Sequence, residues 1–324
     1  MVYAPILITT LNRYEHLKRC ITSLQNNDWA KYTELYIGVD YPPAEKYVEG
    51  YKKIREYLEA GIDGFAEVHI YFHETNLGPI PNYDFLRKIT DEKYDRFIFS
   101  EDDNEFAPSF IEYMDKALDK YADDEDIISI YGWHPGIKGE IEEGTAAFKV
   151  KDFSAYGYGT WVEKYENMLS NLNRQYIEKI CDSNEALKKI KSYNPGVLLA
   201  CTSALLRKER LYCTPDGSIP TIDMMYMLYF IMEDKYMLCS TRSLVKNWGY
   251  DGTGVNCNSG SDQMARRELS SIREYDLTLE DNPKEYSFYR VIDKKTEIKR
   301  KVQVIGAYIK IYIWRKLANR KSFK

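Results

Sequence analysis

Short apolar runs alternate with helical stretches through the first 131 residues, and this alternation limits the fold more than any other feature of the sequence. The apolar runs predict strands over residues 4–10, 34–40, 68–72, 97–103 and 127–131. The segments between them show helical spacing over residues 14–26, 44–59, about 79–89 and 108–121. Because parallel strands need long crossover connections, usually helices, the pattern predicts a parallel, doubly wound α/β sheet.

Three adjacent acids, Glu101, Asp102 and Asp103, end the fourth predicted strand. Like charges side by side cost free energy unless a positive group neutralises them. A hard divalent cation with oxygen ligands, often shared with the phosphates of a nucleotide, is the usual solution. The stretch therefore favours a metal–nucleotide site, with a solvated acidic turn as the alternative.

Arg13, Asp40 and Asn76 also follow predicted strands. Ligands of doubly wound sheets bind at the carboxyl ends of the strands, so we expect these side chains near the three acids. Neither Gly-x-Gly-x-x-Gly nor Gly-x-x-x-x-Gly-Lys follows the first strand. Their absence argues against a dinucleotide enzyme and against a P-loop NTPase.

The regular alternation is lost after residue 132. The sequence predicts a helix that begins within residues 156–161 and ends near 170, and further helices over 174–191 and 221–232. Residues 236–239 resemble a strand, whereas the apolar run 197–206 fits a strand or a helix. No linker or internal repeat separates the two halves, and we predict that they share one core.

Composition excludes several classes of protein. The net charge of −5 gives no sign of nucleic-acid binding. Six cysteines without a Cys-x-x-Cys pair, and only four histidines, argue against a zinc site and a disulfide framework and favour a reducing cytosol. The amino terminus has no signal-peptide pattern, and no apolar segment of 18 residues is present.

The carboxyl-terminal segment is strongly basic. Residues 294–324 contain eleven Lys or Arg and one acid, Glu297. Apolar and aromatic residues alternate with basic ones over 302–317, so a helix here would lie on an anionic membrane surface. The alternative is a helix that packs on the domain with a solvated basic end.

Four segments together resemble a GT-A glycosyltransferase, of the bacterial family 2 type and of the N-acetylglucosaminyltransferase I type. They are the opening run 5–13, Val39-Asp40, the acids 101–103 and the loop 243–254. The resemblance implies a nucleotide-sugar-binding half at residues 1–132. The acceptor-binding and catalytic half of the same domain follows at 133–290, and the basic amphipathic tail occupies 291–324.

The resemblance also assigns the donor site. Asp103 is expected to bind Mn²⁺ or Mg²⁺ directly, and Asp102 to contact the ribose or the donor sugar, with Glu101 in support. Asp40 would accept a hydrogen bond from a ring N–H of uracil or guanine, and Arg13 would hold the base or a phosphate.

Further donor contacts are expected from two other regions. His73 and Asn76 would line the base or ribose pocket. Lys246, Gly252 and Gly254 would form a loop that closes over the diphosphate. The related bacterial loops carry a histidine shortly after the last glycine. This chain has Val255-Asn256-Cys257 there, so we expect no metal or phosphate contact from that position.

Asp223 is the expected general base, because the related enzymes carry their base at the start of the corresponding helix. Glu163 and Asp251 are rival candidates. Tyr156, Tyr158 and Trp161 form the expected acceptor platform, since aromatic rings stack on the apolar faces of sugars.

The implied function is a metal-dependent inverting transfer from a nucleotide-sugar, preferably a UDP-sugar, to a saccharide. A lipid-linked acceptor in bacterial surface polysaccharide biosynthesis would place the enzyme in the cytoplasm, at the inner face of the cell membrane. The alternatives are a nucleotidyltransferase, whose glycine-rich first loop is missing, and a non-catalytic carbohydrate-binding protein.

Overall fold

The computed structural model describes residues 2–206, 221–253, 268–287 and 294–321. The strands within them are β1 (Ile6–Thr10), β2 (Glu34–Val39), β3 (Glu67–Phe72), β4 (Arg96–Glu101), β5 (Asn104–Phe106), β6 (Ile127–Tyr131), β7 (Ala147–Val150), β8 (Tyr158–Trp161), β9 (Tyr236–Ser240) and β10 (Val245–Asn247). The α-helices are α1 (Tyr14–Gln25), α2 (Val48–Glu59), α3 (Pro79–Thr90), α4 (Phe110–Lys120), α5 (Val162–Asn171), α6 (Arg174–Asp182), α7 (Asn184–Tyr193), α8 (Pro195–Leu206), α9 (Thr221–Met232) and α10 (Lys294–Lys321).

Eight strands form one sheet in the order β3-β2-β1-β4-β8-β6-β9-β7. The neighbours from β3 to β4 are parallel, as are β6 and β9. Strand β8 runs antiparallel between β4 and β6, and β7 runs antiparallel to β9 at one edge. The predicted mostly parallel α/β sheet is therefore confirmed. Strands from before and after residue 132 pair in it.

Helix α1 shows why the amino-terminal half folds as the sequence predicts. Leu17, Cys20, Ile21 and Leu24 recur at helical spacing, and all four are fully buried. The central strands are buried along their length, as expected when helices cover both faces of a parallel sheet.

Helix α3 packs unusually close to β2. Its first residue is Pro79, which suits that position because the first turn of a helix leaves N–H groups without intrahelical partners. A Cβ atom at Gly38 would lie 2.2 Å from Oδ1 of Asn82. Glycine at this position therefore lets Asn82 reach the backbone of β2.

Two predictions in the second half were wrong. Residues 158–161 form strand β8, and only the following residues, Val162–Asn171, are helical. Residues 174–191 form two helices, because the side chain of Ser183 accepts a hydrogen bond from Ala186 N and starts a new one. The ambiguous run 197–206 lies in helix α8.

Helix α10 packs on α8, which in turn packs on α9. Val304, Ala307 and Ile311 are buried in the first of these contacts. Across the described residues, no helix combines the length and the apolar character needed to span a membrane.

Candidate functional site

A cleft lies at the carboxyl ends of β1, β2 and β4. Because these three strands are parallel, the residues that follow them meet at one edge of the sheet. The cleft is lined by Thr9, Thr10, Leu11, Asn12, Arg13, Asp40, Tyr47, Pro79, Asn82, Glu101, Asp102, Asp103 and Thr253. Four residues predicted from the sequence, at positions 13, 40, 102 and 103, are thus brought together.

All four carboxylate oxygens of Asp102 and Asp103 accept hydrogen bonds. Thr10 Oγ1 donates to Asp102 Oδ2 at 2.7 Å, and Asn247 Nδ2 donates to Asp103 Oδ1 at 2.6 Å. Arg13 donates to the remaining two oxygens, from Nη2 to Asp102 Oδ1 and from Nη1 to Asp103 Oδ2, the latter at 2.9 Å. The positive group that the acids need is therefore supplied from within the chain.

Arg13 does not fully balance the negative charge. Burial opposes the charge on its guanidinium, but Asp102 and Asp103 hold its pKa above the ordinary value. Burial raises the pKa of Asp102, although Arg13 counteracts the shift. Burial, with Asp103 as the next cause, raises the pKa of Glu101 to about 8. A second cation would thus be stabilised here.

The loop after β10 closes one side of the acidic site. Strand β10 pairs antiparallel with β5, and Trp248 N donates to Asp103 O at 2.8 Å. A Cβ atom at Gly249 would lie 2.3 Å from Asp103 Oδ2, so only glycine fits against this carboxylate. Asp251 Oδ2 lies 2.9 Å from His16 Nε2, which ties the loop to α1.

Lys246 and the glycines of this loop were predicted to contact a diphosphate. The Lys246 ammonium lies 4.3 Å from the centre of the Trp248 ring, and the Arg19 guanidinium lies 4.4 Å from it. Gly252 has a φ of 86°, which favours glycine. Gly254 and the segment Val255–Cys257 lie outside the described residues. The diphosphate contact stays a prediction.

Asp40 organises the wall of the cleft. Its carboxylate accepts hydrogen bonds from the backbone N–H groups of Tyr41, Leu77 and Gly78 and from the side chain of Asn76. Asp40 and Asn76 therefore fix the loop that connects β3 to α3. A contact from Asp40 to a base remains a prediction, and its carboxylate now has a second role as a backbone support.

His73 acts on the cleft through a neighbour. His73 Nε2 lies 2.9 Å from Asn82 Oδ1, and Asn82 Nδ2 donates to Gly38 O at 3.0 Å. Asn82 is buried and lines the cleft. The sequence analysis missed Asn82, Thr10 and Asn247, because their importance comes from contacts with distant segments. Only the position of Thr10 at the end of β1 gave a signal.

Asp223 lies in the first turn of α9 and is half-buried. Burial raises its pKa to about 6. Its charge in turn contributes to the raised pKa values of Glu101, Tyr158 and Tyr226. The charge of Asp223 therefore acts on the acid that ends β4, although Asp223 lies about 120 residues further along the chain.

The predicted aromatic platform is divided. Tyr156 is half-buried, and its hydroxyl lies 2.8 Å from that of Tyr250. Tyr158 is buried and bonded to the hydroxyl of Tyr83 at 2.9 Å. Trp161 is buried opposite Arg96, at the amino end of β4, where its Nε1 donates to Leu118 O.

Trp161 is separated from Tyr158 because residues 158–161 form a strand and not a helix. A helix would have placed residues 158 and 161 on one face, whereas a strand turns them to opposite faces. Of the two rivals for the base, Glu163 is exposed next to Trp161 at the start of α5, and Asp251 pairs with His16.

A second acidic cluster lies at the opposite end of the strands from the cleft. Glu34, Glu67 and His69 offer atoms close enough to share a cation, at the amino ends of β2 and β3. Burial opposes the charge of Glu34, but hydrogen bonds from Lys93, Tyr36 and their neighbours lower its pKa to about 2. Lys93 Nζ lies 2.5 Å from Glu34, so this cluster already has its cation.

The mostly parallel sheet, with acids at the end of β4 and a cleft at the strand ends, defines a GT-A, Rossmann-like fold. A model of glycosyl transferase family 2 matches residues 6–177, and the chain belongs to this family. A comparison with curated proteins finds no match.

Several solved structures are similar in part. Residues 1–349 of S. aureus TarS are 14% identical, with a TM-score of 0.33 over 50% of this chain and 48% of that one. Mouse xyloside xylosyltransferase 1 is 10% identical, with a TM-score of 0.34 over 55% and 75%. The mannosyltransferase PcManGT from Pyrobaculum calidifontis, in complex with GDP-Man and Mn²⁺, is 10% identical, with a TM-score of 0.37 over 71% and 69%. The match to the longer TarS structure covers 25% of that chain.

Proposed function

We propose that this protein is a metal-dependent, inverting glycosyltransferase that moves a sugar from a nucleotide-sugar to a saccharide acceptor. One observation carries the proposal: the buried Asp102–Asp103 pair at the end of β4 faces the cleft, and the charge of Asp223, at the start of α9, contributes to the raised pKa of the adjacent Glu101. An excess of negative charge and a separate carboxylate of raised pKa are what a cation site and a general base require. Residues 1–132 would hold the donor, residues 133–290 the acceptor.

The donor set fits Mn²⁺ or Mg²⁺, since carboxylate oxygens are the ligands that these hard cations prefer. Gly249 leaves room against Asp103 Oδ2, and this oxygen becomes available when Arg13 withdraws. Asp103 would hold the ion, and Asp102 would contact the ribose or the donor sugar. When bound, the ion would supply a positive charge that stabilises the departing diphosphate.

Arg13 is the residue that must move. Its fork bridges both acids, so the guanidinium and a divalent cation compete for the same oxygens. A diphosphate offers the guanidinium an alternative bidentate partner. We infer that Arg13 turns from the acids to the donor when the donor binds, and that nucleotide and metal bind cooperatively for this reason.

Asp223 would accept the proton of the acceptor hydroxyl. As that oxygen attacks the anomeric carbon, the bond from this carbon to the diphosphate oxygen breaks, and the proton passes to an Asp223 oxygen. Attack from the side opposite the leaving diphosphate inverts the configuration. A pKa near 6 leaves the carboxylate ionised at pH 7 and still basic.

The nucleotide base would bind between the loop that Asp40 and Asn76 fix and the pair of His73 and Asn82. Uridine is our preference, through the resemblance of the sequence. Tyr156, which lies beside the glycine loop, would contact the acceptor. A lipid-linked glycan of a bacterial surface polysaccharide is the proposed acceptor, on the cytoplasmic face of the membrane.

Thermal stabilisation tests the donor site directly. UDP with Mn²⁺ should raise the melting temperature more than either alone, and more than GDP, CMP or dTDP with Mn²⁺. Asp103→Asn should remove the effect of the ion. Glu67→Gln, which alters the acidic cluster at the opposite end of the strands, should preserve it. The proposal fails if no nucleotide stabilises the protein, with or without Mn²⁺.

A further inference from the structure

Helix α10 has two apolar faces, whereas a helix on the surface of a domain needs one. The inner face carries Val304, Ala307 and Ile311, which are at most 6% exposed against α8. Tyr308 OH donates to Leu187 O at 3.4 Å, and Arg315 Nη1 donates to Asn184 Oδ1 at 2.8 Å. The inner face therefore holds the helix on α8 and α7.

The outer face carries a long apolar stripe, with the exposed Lys316 on the same side of the helix near the carboxyl end of the stripe. Apart from one adjacent pair, its side chains recur every three or four residues, which places them on one side of the helix. They are between 51% and 64% exposed: Ile298, Val302, Ile305, Ile309, Tyr312, Ile313 and Leu317. At 1.5 Å per residue the stripe is about 28 Å long. An apolar surface of this length on one helix marks a contact with something outside the described chain.

The charges beside the stripe are positive. Residues 294–317 contain eight Lys or Arg and a single acid, Glu297, which is paired with Lys301 at 2.7 Å. The helical spacing of 100° per residue places Lys299 and Lys310 along one side of the stripe and Lys301 along the other. The polar boundary of the stripe is therefore cationic on both sides.

Helix α7 extends this basic border. A cleft between α7 and α10 is lined by Asn184, Lys188, Lys191, Ser192 and Tyr308. The Lys191 ammonium lies 6.0 Å from the centre of the Tyr308 ring. Since Tyr308 lies between the inner face and the stripe, the lysines of α7 lie beside the stripe as well.

We propose that α10 lies flat on an anionic membrane, with the outer stripe at the boundary of the acyl chains and the lysines of α10 and α7 at the lipid phosphates. An apolar face with a cationic border is the pattern that binds such surfaces. A second copy of the chain is a poorer partner, because pairing two of these stripes would bring the lysines together. The proposal deepens the proposed function, since α8 joins α10 to α9 and its Asp223, on the acceptor side.

Vesicle co-sedimentation of the full chain tests the proposal. The protein should bind vesicles of phosphatidylcholine with phosphatidylglycerol, bind pure phosphatidylcholine weakly, and be released by salt. Ile305→Ser with Ile309→Ser should reduce binding at least tenfold. Lys299→Gln with Lys310→Gln should reduce it by about fivefold for each lysine.

Matched variants control for unrelated losses. Ile272→Ser changes another exposed apolar residue, which is 37% exposed and lies outside α10, and Lys52→Gln with Lys88→Gln removes two exposed charges elsewhere. Both should bind as the wild type does. The stripe variants should also keep the wild-type melting temperature and its response to UDP with Mn²⁺.

Three outcomes would overturn the proposal: no binding to anionic vesicles, equal binding to both kinds of vesicle, or wild-type binding by the isoleucine double variant. A concentration-dependent dimer that this variant abolishes would instead assign the stripe to a second copy. Because nucleotide stabilisation needs no vesicles, failure at the membrane leaves the proposed transferase function standing.

Discussion

The proposed donor side and the proposed acceptor side of the protein hold their carboxylates in different environments. On the donor side, Asp102 and Asp103 have a partner for every oxygen, and an arginine bridges them. On the proposed acceptor side, burial raises the pKa of Asp223 to about 6, and its charge contributes to the raised pKa values of the buried Tyr158 and Tyr226. The first arrangement holds charge in place, and the second prepares a group to take up a proton.

This difference supports the two proposed roles more strongly than any single residue does. Enzymes separate acid–base functions by giving similar side chains different environments. A carboxylate that is held by a cation is a poor base, whereas a carboxylate with a raised pKa takes up a proton more readily. A substitution on one side should therefore leave the binding or the catalytic step assigned to the other side measurable.

The largest effect is expected at Asp223. Asp223→Asn removes the proton acceptor and should lower kcat by about 10²–10⁴-fold. Stabilisation by UDP with Mn²⁺ should persist, because the donor side is unchanged. Glu163→Gln is the matched control, since Glu163 is a rival acid that the structure places next to Trp161, and it should keep wild-type kcat. Full activity of Asp223→Asn would end the assignment of the base.

Arg13 tests the other side of the comparison. In Arg13→Gln, Mn²⁺ no longer competes with the guanidinium, and its affinity without nucleotide should rise about tenfold, a change of about 1.4 kcal/mol. Binding is measured from the electron paramagnetic resonance of free Mn²⁺. Arg19→Gln, which alters a cation on Trp248 of the same loop, should bind as the wild type does. Equal Mn²⁺ affinity in the wild type and Arg13→Gln would contradict the competition.

The same variant should show a dependence of stability on pH. Without Arg13, burial raises the pKa of Asp102 further above its unfolded value. A carboxyl group whose pKa is raised in the folded state contributes stability below its unfolded-state pKa. This stability is lost as the pH rises through its folded-state pKa. Arg13→Gln should therefore have a free energy of unfolding about 1–3 kcal/mol lower than the wild type at pH 7, and the difference should be smaller at pH 4. The lower end of this range is expected because Arg13 is partly exposed to solvent. Denaturant unfolding at the two pH values measures the difference.

The pH dependence of kcat sharpens the acceptor side. Since Asp223 must be ionised, kcat should rise with pH through about 6 and be roughly tenfold lower at pH 5 than on the plateau. The contribution of Asp223 to stability changes with pH in the opposite direction to kcat. It is present below the unfolded-state pKa and is lost as the pH rises through about 6. A kcat that stays constant between pH 5 and pH 8 would show that no group of this pKa limits the reaction.

Much of the donor side was predictable, because it depends on local patterns. The strands of the amino-terminal half, the acids after β4 and the meeting of positions 13, 40, 102 and 103 all follow from the alternation of strands and helices. The bridge from Arg13 to both acids did not, because it depends on side-chain geometry. Asn247 was equally hidden, since it reaches Asp103 through the pairing of β10 with β5, across about 140 residues.

The acceptor side was predictable only in part. Residues 158–161 read as the start of a helix, but their place between β4 and β6 makes them a strand. Tertiary pairing overrides local propensity in this way because an inner strand gains a ladder on both sides. The error grouped Trp161 with Tyr156 and Tyr158 in the predicted platform. Asp223 lies at the start of a correctly predicted helix, and its role as the base stays a prediction.

The smallest predicted effect separates the histidine within β3 from the one that follows this strand. His73, just beyond its carboxyl end, is bonded to Asn82 in the cleft, and His69 belongs to the ion-paired cluster with Glu34 and Glu67. His73→Ala leaves Asn82 Oδ1 without this partner and should weaken UDP binding about two- to tenfold, the value of one hydrogen bond. His69→Ala should leave UDP affinity unchanged. Calorimetric titration with Mn²⁺ present measures both. Equal losses would mean that the histidines act through the stability of β3, and a loss confined to His73→Ala would place the nucleotide against the Asn82 wall.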